Sequence, residues 1–122
     1  MEEKARELSE RLLCYGAIIV GLCDKLDASM SARHIAKQLL RSGTSAGANY
    51  AEACGAQSKA DFIHKLQIVL KELRESLYWL NLLQRAEIST TKELEISIDE
   101  TRQIGNIIAK SVITAKKNRA QL

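Results

Sequence analysis

Two histidines and three cysteines are the side chains best suited to proton transfer, nucleophilic attack or metal binding in this sequence. His34 and His64 stand far apart, and no Cys-x-x-Cys, His-x-x-x-His or Glu-x-x-His spacing is present. Helices that hold a metal present their ligands at such spacings. Asp61 and His64 are three apart and can share a hydrogen bond on one helix face, but no nucleophile is placed beside them. An enzyme would have to gather Asp61, His64 and a cysteine across subunits. Cys14 and Cys23 are nine residues apart, about two and a half helical turns, so they point to opposite sides and cannot pair. The expectation is three reduced, packed thiols in a reducing cytoplasm. No catalytic, cofactor-binding or metal-binding residue is assigned, and no small-molecule substrate is expected.

The ionic chemistry is more informative. Arg33, Lys37 and Arg41 recur every four residues as a basic ridge. Lys110, Lys116, Lys117 and Arg119 follow the last acid, Glu100. These seven are the candidates for neutralising nucleic-acid phosphates, although the final group also complements the dipole at a helix end. Eighteen Lys and Arg against fifteen Asp and Glu leave a net charge of +3, a mild bias that permits RNA without demanding it.

Ser42, Ser45, Asn49 and Glu52 step three, four, three and draw a polar line away from the apolar stripe. Gly43 and Gly47 interrupt the same stretch, each costing about 1 kcal/mol of helix propensity relative to alanine. Contacts with other helices or other subunits must hold so poor a helix former in shape. The glycines suit close approach of a neighbouring helix. Ser42, Ser45, Gly47, Asn49 and Glu52 are therefore expected at an oligomer contact, together with Ile68, Trp79 and Leu82, which fall outside the apolar stripe of their own segment.

Four periodic segments must position these residues. Ala5, Leu8, Leu12, Tyr15, Ile19, Leu22 and Leu26 alternate gaps of three and four and mark the apolar face of a first helix. The second places Ala36, Leu40, Gly43, Gly47, Tyr50 and Cys54 on one line, flanked by Ile35, Leu39, Ala46 and Ala53. Ser29 or Ser31 is suited to cap it, and Gly55 to end it as a left-handed stop. Ser58 to Asp61 resembles a capping box for the third, whose seam is Phe62, Leu66, Val69, Leu73, Leu80 and Leu83, with Ser76 as a polar interruption. Thr90 to Glu93 is a capping box for the fourth, where Leu94, Ile98, Thr101, Gly105, Ile108, Val112 and Ala115 follow, with Ile104 alongside. Helices are expected over about 3–26, 30–54, 59–86 and 91–118. Short joints between helices of matched length force antiparallel neighbours, hence an all-α, up-down-up-down four-helix bundle forming one domain over 1–122.

Composition agrees. The 122 residues include no proline, six glycines and five aromatics, too little punctuation for a β-sandwich or barrel. The acidic start is unlike a signal peptide, and the run Tyr15 to Cys23 falls short of the roughly 20 residues that span a bilayer. A cytoplasmic protein with no membrane partner is expected.

Arg41-Ser42-Gly43-Thr44-Ser45, Asn49-Tyr50-Ala51-Glu52-Ala53 and Ser58 through Leu66 together resemble the signature of the bacterial "four helix bundle protein" family. The likeness continues through Leu70 to Ser76 and Tyr78-Trp79-Leu80. Some members of that family are encoded in intervening sequences of large-subunit ribosomal RNA genes and carry a ribosomal-protein label. A related branch comprises accessory variability proteins of diversity-generating retroelements, which bind a reverse transcriptase and nucleic acid. The resemblance implies a cytoplasmic bundle that forms a ring-like homopentamer and has no assigned enzyme activity. The leading functional expectation is a non-catalytic oligomer associated with RNA or a nucleic-acid-handling partner. A pure protein scaffold is the alternative, and an enzyme with a site between subunits is the third reading.

Overall fold

Apolar residues returning every three to four positions give each segment a flank that water disfavours, and burying four such flanks together builds the molecule. The computed structural model describes residues 2–120. It contains α1 (Glu3–Asp24), α2 (Met30–Cys54), α3 (Lys59–Arg85) and α4 (Lys92–Ala120). The outermost positions of the expected domain, Met1 and Gln121–Leu122, lie outside the described residues. Successive helices pack side by side, α2 most extensively on α3, and α4 closes on α1 over a shorter contact. The architecture is the expected four-helix bundle.

Leu12, Tyr15 and Ile19 of α1, Leu39 and Ala46 of α2, Leu66, Leu73 and Leu80 of α3, and Leu94, Ile104 and Ile108 of α4 are almost free of solvent. On α1 the buried line is the expected one; on α3 Ile63 is buried where Phe62 is half-buried, and on α4 Ile104 is buried where Gly105 is half-buried. On α2 it is rotated: the flanking residues Ile35, Leu39, Ala46 and Ala53 are buried, whereas Leu40 is 40% exposed. Gly43 and Tyr50 of the central line are buried with them, and α1 approaches α2 closely at Gly43 and Gly47.

Polar groups in the core are paired. The Tyr15 hydroxyl lies 2.7 Å from Thr101 Oγ1, and Thr101 donates to the Ser97 carbonyl at 2.6 Å. Ser42 and Ser76 meet at 2.8 Å between α2 and α3, and Ser76 also donates to the Glu72 carbonyl. Among the described residues no buried side-chain nitrogen or oxygen lacks a partner, which keeps the penalty for burying them small.

The caps explain where the helices begin and end. Ser29 accepts from the Ala32 amide at 3.2 Å and starts α2, while Asp27 holds the Ser29 amide at 2.8 Å in the preceding turn. Ser58 accepts from Asp61 N at 3.1 Å and starts α3. At α4 the cap is Thr91, which accepts from Leu94 N at 3.2 Å, so the expected box beginning at Thr90 is displaced by one residue. Gly55 is not left-handed; its φ is −99°. Among the described residues the left-handed position belongs to Glu87, φ 57°, beyond the end of α3. Glu87 N donates to the Gln84 carbonyl and Ile88 N to the Leu83 carbonyl, the paired bonds of a Schellman motif, with Ile88 folded back onto the core.

Candidate functional site

The polar line of α2 faces α3 and is locked there by charge. Arg41 pairs with Glu72 at 3.3 Å and also with Glu75. Glu75 accepts the Trp79 indole N–H at 3.1 Å, and that bond, reinforced by Arg41, holds its carboxyl below the ordinary range. The Trp79 ring meets His34 and Tyr78 edge to face, with centroids 5.9 and 5.0 Å away. Toward the other end Lys65 pairs with Glu52 at 3.0 Å. This antiparallel register sets Ser45 and Asn49 across from Ile68, so most of the expected contact residues share one seam of the bundle. Asn49 donates to the Ser45 carbonyl at 2.9 Å.

Three of the expected residues make contacts within their own chain. Ser42 is fully buried against Ser76 inside its own chain, so it offers no surface to another subunit. Gly47 faces α1: a Cβ there would stand 3.5 Å from both Cβ and the carbonyl oxygen of Leu12. Gly43 is tighter, with Ile19 Cγ2 at 2.8 Å from such a Cβ. Both glycines serve the α1–α2 contact within one bundle. Arg41 pairs with Glu72 and Glu75, which offsets the charge it could bring to a phosphate.

The remaining basic candidates are exposed, and none makes an ion pair among the described residues. They do not form one patch. Arg33 and Lys37 lie where α2 begins, beside the end of α1; Lys110 to Arg119 occupy the end of α4, at the other end of the bundle. Lys37 and Lys110 are separated by roughly 20 Å along the helix axes.

Catalytic chemistry gains nothing from folding. Asp61 and His64 are exposed and share no hydrogen bond among the described residues. Cys14 is exposed, Cys54 half-buried and Cys23 buried. Burial pushes the Cys23 thiol up to about 11, with Asp24 adding to the effect, so it stays protonated and inert. Among the described residues no three His, Cys, Asp or Glu side chains converge to hold a metal, and no helix is long and apolar enough to cross a membrane. Two open grooves mark the surface. One, of about 520 Å³, lies between Met30, His34, Trp79 and Leu82; the other, of about 260 Å³, runs between α3 and α4.

A different face carries an unmet demand. Residues 12–23 of α1 contain no charged side chain. The bundle covers only one flank of them, leaving Leu13 68%, Ile18 43% and Val20 39% exposed. A helix apolar on every side is normally covered on every side. Reading periodicity alone missed this surface, because attention to the stripe hides residues that are apolar off it. The absence of charge over three turns was the available signal.

The pattern of the family described as "23S rRNA-intervening sequence protein" matches residues 3–110. This chain belongs to that family. The bundle is similar to a crystal structure of a protein with unknown function from the S23 ribosomal protein family of Bacteroides thetaiotaomicron VPI-5482. The two share 40% identity over 86% of this chain and 97% of that one, with a TM-score of 0.80. No curated protein matches the chain. The intervening-sequence family and its S23 relative thus agree with the resemblance carried by the motifs of α2 and α3.

Proposed function

We propose that this intervening-sequence protein is a non-catalytic helical subunit that assembles with copies of itself into a closed ring, five-membered as the family resemblance implies. The observation that carries this reading is the charge-free run of α1 with Leu13, Ile18 and Val20 in solvent. Fully covering a fully exposed Leu or Val side chain is worth about 1.5–3 kcal/mol, and covering Leu13 and Val20, which share a face seven residues apart, would gain part of that for each. Sedimentation velocity over a dilution series tests it. A single species several chains in mass is expected; one chain at every concentration contradicts it.

The ring would present Arg33 and Lys37 near one end and the α4 basic residues at the other, and these support contact with RNA. Affinity for single-stranded RNA should then fall by about 0.7 log units per log unit of salt for each phosphate engaged. Binding absent at low salt, or unaffected by salt, would leave a pure protein scaffold.

A further inference from the structure

The groove between α3 and α4 has an apolar floor, including Leu70, Leu77 and Ala109, and two arginines at its edge, Arg74 and Arg102. Both arginines are exposed and neither forms an ion pair among the described residues. No acid lines the groove. Gly105 opens it further: a Cβ there would meet nothing within 4 Å. Unlike Gly43 and Gly47, Gly105 makes no close approach to another helix of its own chain, as is also true of Gly16 and Gly21. The groove therefore fits a helix that brings a carboxylate and a large apolar side chain.

The outer face of α1 has both. Glu10 and Leu13 are three apart and share that face, with Ala17 one turn beyond. Glu10 is exposed and forms no ion pair among the described residues. Leu13 is the most exposed leucine among the large apolar side chains left in solvent. Height along the bundle supplies an independent argument. Arg11 reaches Glu100 at 2.7 Å and Gln103 at 3.0 Å, so residues 10–13 stand level with the part of α4 that contributes Arg102 and Gly105. A cyclic assembly whose axis runs along the helices carries every residue round at constant height. With such an axis, Glu10 and Leu13 of one copy would stand level with the groove of the next.

We infer that Leu13 of one copy seats in the α3–α4 groove of a second copy, with Glu10 pairing to Arg74 and Arg102. This rests on the self-assembly reading and names the two surfaces that meet. They are different surfaces, so the contact is head to tail and closes when the rotation returns to its start.

Light scattering on the full chain and its variants, with circular dichroism to verify the helices, tests the contact. Leu13→Asp should fall to the mass of one chain, and so should the double variant Arg74→Glu with Arg102→Glu. Adding Glu10→Arg to that double variant should restore the parent mass. All four positions are exposed or half-exposed in one chain, so the bundle should remain helical; if Leu13→Asp does not, the charge series decides. An oligomeric parent whose folded variants keep its mass overturns the inference and gives the groove to another partner. Failure of the charge reversal to reassemble also overturns it. A parent with the mass of one chain overturns the self-assembly reading itself.

Discussion

Glu87 occupies a backbone conformation that suits glycine, yet it closes α3 with both bonds of the terminal motif intact. A side chain in the left-handed region costs about 1–2 kcal/mol, of which glycine's greater freedom in the unfolded chain takes back part. Glu87→Gly should therefore raise stability by about 0.5–1 kcal/mol, read as a higher urea midpoint with an unchanged slope. The Arg11–Glu100 pair between α1 and α4 makes a pH-dependent contribution. The guanidinium donates two bonds to the carboxylate and holds its pKa below the ordinary range, although partial burial opposes this. A depressed carboxyl favours folding above its unfolded value, about 4.3, and that benefit is lost as pH falls through the folded value. Arg11→Ala should thus cost about 1 kcal/mol at pH 7, the upper end for a partly exposed pair. The gap between parent and variant should close as pH falls below about 4.3 and through the lowered folded value in urea titrations. A gap that stays constant down to acid unfolding would deny Glu100 this role. Among the thiols, Cys14 should react first with a maleimide in the native state and Cys23 only on unfolding, which mass mapping after brief labelling would reveal.

At the scale of elements, α2 is held helical by what packs against it. Gly43→Ala would stabilise an open helix by about 1 kcal/mol, but here the added methyl meets buried Ile19. The net effect should be a loss of about 1–2 kcal/mol, and a smaller one in a chain already carrying Ile19→Ala; additive losses in a double-mutant cycle would contradict it. The helices and their inward flanks were legible because burial imposes the 3.6-residue period directly on residue type, as Leu12, Tyr15 and Ile19 illustrate. The partners of polar residues were not. Ser42 reads as a surface serine until Ser76 is found opposite, and Arg41 as a free base until Glu72 and Glu75 are found across the seam. Such pairings depend on register between helices, which one helix's pattern does not encode. Gly55 and Glu87 fail in the same way: either residue can end a helix, and the following turn decides which becomes left-handed. For the candidate surface, the α4 lysines were legible as exposed charge, whereas Leu13, Arg74 and Arg102 became visible only once the outside of the bundle could be separated from its inside.

For the whole molecule, the bundle has the stability elements of a lone domain and a surface that supports the proposed self-assembly. Its polar core groups are paired and its α2–α3 seam is charge-locked, yet α1 leaves three large apolar side chains in water and the α3–α4 groove leaves two arginines unpaired. The proposed contact would cover Leu13 and pair both arginines with Glu10 of the next copy. Charge bears on the proposed RNA contact. At +3 per chain, the proposed repetition of copies would multiply a weak attraction. Lys116→Glu with Lys117→Glu should then weaken RNA retention at low salt by at least tenfold while leaving the assembly whole, as a filter-binding series would measure. Native mass spectrometry of the unmodified chain is the most direct test of self-assembly. The account predicts one dominant ion series at an integer multiple of the chain mass, with the single chain a minor species. A spectrum holding only the single chain, from a solution in which the helices are intact, would contradict it.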